Sequence, residues 1–170
     1  PQHLSDIYNT MNSAYGFLGR PEKMVEVSRK SLEELKKYSK GIDRNELIFE
    51  GYHQTLLASL GNNDIDDAVY YLNQAKNLAT QLVSYEDGLQ TVGYVYSFQL
   101  PMIINAGLYA EAEDILNFID DFIEFDTSQV LGRFQEDTLN YTLGRLNLVK
   151  KDYTKAIYHF ELSSLHYLKK

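Results

Sequence analysis

The chain has no cysteine and no tryptophan, and only three prolines and ten glycines in 170 residues. Without cysteine, disulfides and thiolate metal sites are excluded, and the composition fits a reducing, cytoplasmic setting. Few prolines and glycines favour long helices over a fold with many turns. No apolar run approaches the roughly 18–20 residues that span a bilayer, and no signal-peptide pattern is visible, so no membrane association is expected. The chain starts at Pro1, and its last helical pattern, SSLHYLKK, runs to the end. A segment of a longer protein is therefore expected.

Basic residues are missing from the middle. Residues 45–132 carry Lys76 alone against 14 acidic side chains, a net of −13, whereas residues 1–44 carry +2 and residues 133–170 carry +3. An acidic centre repels phosphate backbones, so nucleic-acid binding is not expected. It keeps the surface solvated, and it would steer a basic protein or peptide. Hydrophobic residues make up 44% of the chain, enough for a real core.

Beside these absences stands an internal repeat. The stretches LGRPEKMVEVSRKSLEEL, GNNDIDDAVYYLNQAKNL, AGLYAEAEDILNFIDDFI and VKKDYTKAIYHFELSSLH align, each a turn followed by an apolar-periodic helix. Their anchors, Met24, Ala68, Ala112 and Ala156, are separated by 44 residues each time. A second apolar-periodic stretch precedes each, so the unit is a helix pair. Expected helices are 2–18, 21–39, 44–60, 65–84, 89–106, 109–125, 128–149 and 153–169. Gly19, Gly41, Gly61, Asn63 and Gly107 mark turns, Pro21 suits a first helical turn, Asp43 with Glu46 forms a capping-box pattern, and Asp126–Ser128 supplies N-cap candidates. Pro101 falls inside an expected helix and predicts a kink near 97–101. A lone pair cannot bury its apolar face, whereas stacked pairs can, so an all-α solenoid is expected as a single domain over 1–170, in units of about 1–41, 42–86, 87–126 and 127–170.

LNYTLGRLNLVKKDYTKAIYHFELSSL resembles a tetratricopeptide repeat through Leu143, Gly144, Tyr153, Ala156, Phe160 and Ser163. Tyr8, Tyr15, Gly19 and Leu32 match in the first unit, Ala68, Leu72 and Ala75 in the second, and Tyr96, Gly107, Tyr109 and Ala112 in the third. The usual period is about 34, so this is similar to the long-repeat variants of bacterial regulators; the period by itself also fits HEAT-like pairs. The resemblance implies a right-handed α–α superhelix of four antiparallel helix pairs, whose first helices line a concave face. It implies a non-catalytic protein–protein or protein–peptide interaction scaffold, or else the peptide-sensing domain of a bacterial transcriptional or signalling regulator. Carried over position by position, the groove would hold Asp6, Asn9 and Ser13, then Tyr94, Ser97 and Asn105, then Thr138, Tyr141 and Arg145. The second unit does not map, although Tyr52 or His53 would contribute. Asn9 sits where some members clamp a terminal carboxylate, but the accompanying Lys/Arg set is missing. A spacer without a groove ligand is the plainer alternative, and exposed end helices would support a homo-oligomer.

No catalytic, cofactor or metal site is expected. His159 and His166 share a helix but are about 10 Å apart along its axis. NNDIDDAVYYLN lacks the glycine and the final glutamate of a calcium loop. The seven carboxylates of EAEDILNFIDDFIEFD alternate with apolar residues as the outer face of an amphipathic helix.

Overall fold

The computed structural model describes residues 2–38, 44–84, 86–123 and 133–168. They form eight α-helices: α1 (Gln2–Phe17), α2 (Pro21–Tyr38), α3 (Arg44–Gly61), α4 (Ile65–Leu82), α5 (Glu86–Asn105), α6 (Tyr109–Ile123), α7 (Arg133–Val149) and α8 (Tyr153–Leu168). No strand occurs among the described residues, so the fold is all-α. Gly41, Asp43 and 126–132 lie outside the described residues, and with them three of the expected helix boundaries.

The 44-residue period is written into the backbone. Among the described residues, those with positive φ are Gly19 (64°), Asn63 (58°), Gly107 (81°) and Lys151 (62°), each 44 positions after the last. Each closes the same helix end. The amide of Gly19 donates to the carbonyl of Gly16, and that of Arg20 to Tyr15. Asn63 to Leu60 with Asp64 to Ser59 repeats the pair, as do Gly107 to Ile104 with Leu108 to Ile103, and Lys151 to Leu148 with Asp152 to Asn147. These are Schellman caps, which satisfy carbonyls orphaned at a helix end. In two turns the next residue also starts the following helix: Asp64 Oδ1 accepts from the amide of Asp67, and Asp152 Oδ1 from that of Lys155, both at 3.2 Å. Three-residue turns of this kind leave no room for a linker, so each helix folds back on its predecessor.

Lys151 is the outlier, because a side chain with a Cβ costs roughly 1–2 kcal/mol in this conformation. Lys151→Gly is expected to raise stability by about 0.5–1 kcal/mol, after the extra unfolded-state entropy of glycine is subtracted. Urea unfolding followed by circular dichroism checks this; an unchanged or lowered midpoint would refute a strained turn.

The chain divides into two compact parts, Pro1–Gly88 and Leu89–Lys170. In the first, α1 and α2 run antiparallel: Asn12 Nδ2 donates to Ser28 Oγ at 2.8 Å, and Gly16, one turn later on α1, faces Met24, one turn earlier on α2. Similarly, Tyr52 meets Tyr71 and Ser59 meets Asp67 across α3 and α4. Helix α2 also packs on α3 at Gly51, where a Cβ would lie 3.1 Å from Leu32 and 3.2 Å from Leu35. Arg29 of α2 reaches Asp67 of α4 at 2.8 Å. The core comprises Leu32, Leu35, Phe49, Leu56, Ala68, Leu72 and Ala75. The anchors Ala68, Ala112 and Ala156 are all buried, as close helix approach demands.

In the second part, Tyr96 of α5 meets Phe118 of α6 edge to face, centroids 6.1 Å apart. Tyr141 of α7 meets Phe160 of α8 at 5.9 Å, and Lys150 pairs with Glu113. Helix α5 runs from Glu86 to Asn105 with Pro101 inside it, so the proline does not end the helix. The reason is packing. Leu100, Ile103 and Ile104 on both sides of the proline are buried, and together they outweigh the roughly 3 kcal/mol that an interior proline costs.

Candidate interaction surface

The turns fix a common numbering for the first helix of every pair. Position 6 recurs as 50, 94 and 138, position 9 as 53, 97 and 141, and position 13 as 57, 101 and 145. This resolves the second unit, which the sequence left unmapped. Its counterparts are Glu50, His53 and Leu57. Asn105 falls outside the series: it is the last residue of α5, in register with Phe17 and Val149, while the counterpart of Ser13 there is Pro101.

Asp6, Asn9 and Ser13 are exposed along α1. Ser13 Oγ donates to the Asn9 carbonyl at 3.0 Å, which leaves its lone pairs to accept from a ligand. Tyr141 is exposed and Arg145 half-buried one turn later on α7, so an aromatic face and a guanidinium share one side of that helix. Asn105 is exposed. The side chains of Tyr94, Ser97 and Thr138 lie outside the described residues. Tyr52 and His53 do not contribute as the sequence suggested. They are 8% and 1% exposed, His53 stacking its edge on Phe49 at 4.5 Å and Tyr52 lying beneath Lys36 Nζ at 4.7 Å.

Glu50 is the residue that sequence reasoning missed. Its carboxyl is held above the ordinary range, first by burial and then by the neighbouring Glu46. A half-buried carboxylate beside a second one is stabilised by any cation that approaches it. The signal was available: adding one 44-residue period to Asp6 reaches it.

Two other titratable side chains act within the fold. His159 Nδ1 lies 3.1 Å from Asn140 Oδ1, and its pKa is lowered by burial and by Lys155. Asp67, central to the calcium-like stretch, is engaged by Arg29 and Ser59. Among the described residues, no three His, Asp or Glu side chains gather as a metal site, and no helix is long and apolar enough to cross a membrane. On α6, Ala112, Ile115 and Leu116 are buried while Asp114 is exposed. The side chains beyond Phe118 in that acidic run lie outside the described residues.

Compared with family models, curated proteins and solved structures, the chain matches none.

Proposed function

We propose that the chain is a non-catalytic interaction module, a tetratricopeptide-like array whose four helix pairs stack as a right-handed superhelix. In this reading its first helices present Asn9, Ser13, Glu50, Tyr94, Ser97, Tyr141 and Arg145 to an extended protein or peptide segment. The observation that carries the reading is the fourfold recurrence of one helix–turn–helix geometry at a constant 44 residues. Identical turns repeated at constant spacing give every pair the same internal fold-back, and stacked pairs of this kind are what repeat proteins use to build extended binding faces.

The side chains suit peptide recognition more than small-molecule chemistry. Tyrosines supply rings with a polar edge, amides and hydroxyls bond to a peptide backbone, and Glu50 with Glu46 favours a basic side chain on the ligand. The acidic span 45–132 steers the same kind of partner.

The test is affinity capture with the 170-residue chain and with a Glu50→Gln/Tyr141→Ala/Arg145→Ala variant, whose changes fall on exposed or half-buried positions. A partner retained by the parent chain and lost by the variant supports the groove. Undiminished recovery by the folded variant would sink it and point to another surface.

A further inference from the structure

The period identifies a complementary pair of faces, one on the first helix pair and one on the last helix. Within the first compact part, α2 covers α3 through a defined set of contacts. Leu32 and Leu35 close on Gly51, and Arg29 reaches forward to Asp67. One period earlier, the counterparts of Gly51, Thr55 and Ala58 are Ile7, Met11 and Ala14 of α1. All three are exposed, Ile7 by 56%, whereas Gly51, Thr55 and Ala58 are buried. Three periods after α2, the covering face belongs to α8. Val25 becomes Ile157, 58% exposed, and Arg29 and Leu32 become Glu161 and Ser164, both exposed.

These two faces are complementary in charge. Where α3 offers Gly51 to Leu32 and Leu35, α1 offers Ile7 and α8 offers Ser164 and Tyr167 at the matching positions. Where α2 sends Arg29 to Asp67, the corresponding residues are Glu161 on α8 and Lys23, one period before Asp67, on α2. The pair survives with its sign exchanged. In the two intervening repeats the same positions hold Asn73 with Glu111 and Asn117 with Lys155, neither a pair of opposite charges. Lys23 is exposed and pairs with Glu26 on its own helix, at 2.6 Å.

We propose that α8 of one molecule docks on α1 and α2 of a second copy of this chain, repeating the contact that α2 makes with α3 and α4. Ile157 and Ser164 cover the Ile7–Met11–Ala14 stripe, and Glu161 pairs with Lys23 of the other copy. The join is head to tail, with a different face used on each of the two molecules. Assembly then proceeds past the dimer unless the rotation closes a ring. This interface uses none of the groove positions, and it stands or falls separately from them.

Sedimentation velocity of the 170-residue chain, from micromolar to millimolar concentration, tests it. The expected result is a sedimentation coefficient that rises with concentration. Lys23→Glu and Glu161→Lys each set like charges against one another and should weaken association by about tenfold. Combining them restores the opposite pair and should return the dissociation constant to within about twofold of the parent. Both sites are exposed, so each variant should keep the parent's circular dichroism spectrum. A monomer at every concentration would overturn the proposal and leave these faces to a different partner. So would a double variant as weak as either single one.

Discussion

Phe49→Ala is expected to remove about 3–5 kcal/mol of stability, a large part of the roughly 5–15 kcal/mol that holds a domain together. Phe49 is fully buried on α3. Its ring supports the edge of His53 one turn later, and its counterparts in the other units are Ser5, Gly93 and Asp137. No repeat-wide motif supplies an aromatic there, so nothing equivalent compensates for its loss. Truncation leaves a cavity between helices fixed by short turns at α1–α2 and α3–α4, which limits collapse. The comparison that isolates burial is Phe17→Ala. Phe17 ends α1 and is 93% exposed, so its loss should shift stability by about 0.5 kcal/mol or less. Phe49→Leu, which keeps most of the volume, should cost under about 1.5 kcal/mol. Urea unfolding of the three variants checks the order. With a slope of about 1–3 kcal/mol per molar urea, the Phe49→Ala midpoint should fall by more than about 1 M while that of Phe17→Ala barely moves. Equal effects at Phe49 and Phe17 would contradict the placement of α3 in the core.

Much of this fold is legible in the amino-acid sequence, because local rules govern it. Helix period, glycine after a helix end and aspartate before a helix start are short-range signals, and at the four short turns around Gly19, Asn63, Gly107 and Lys151 the helices end and begin within a few residues of where those signals place them. What could not be read depends on neighbours distant in sequence. Lys151 carries no mark of a left-handed residue; only its register with Gly19, Asn63 and Gly107 reveals it. His53 looks like a surface or groove residue by type, yet α3 buries it. The candidate groove was read least well. The second unit's first helix has apolar residues around most of its circumference, among them Ile48, Phe49, Tyr52, Leu56 and Leu57, so periodicity offered no unique face. The 44-residue period, carried forward from Asp6, supplies the register that periodicity does not, and with it Glu50.

The same register exposes how the paired helices exchange volume where they cross, and from it follows a large effect with a built-in rescue. Gly144 of α7 sits against Phe160 of α8, where a Cβ would lie 2.6 Å from two atoms of the ring. In the other pairs these two positions hold Asn12 with Ser28, Leu56 with Leu72, and Leu100 with Leu116. The first is a hydrogen-bonded polar pair; the middle two pairs are four buried leucines. Glycine with phenylalanine is thus a third solution to one packing problem. Gly144→Leu should therefore destabilise the chain by about 3 kcal/mol, at the upper end for overpacking, even though leucine is favoured over glycine within a helix by nearly 1 kcal/mol. Phe160→Leu alone leaves a void beside Gly144 and should cost about 1–2 kcal/mol. Together they recreate the Leu–Leu crossing of the second and third pairs, and the double variant should recover to within about 1 kcal/mol of the parent. The coupling in a double-mutant cycle, read from urea midpoints, would then exceed about 2 kcal/mol. Additive losses would mean that the crossing of α7 and α8 differs in geometry from those before it. Recovery would show that the last pair shares the helix crossing of the second and third, with the helix spacing held constant and the two side chains dividing a fixed volume between them.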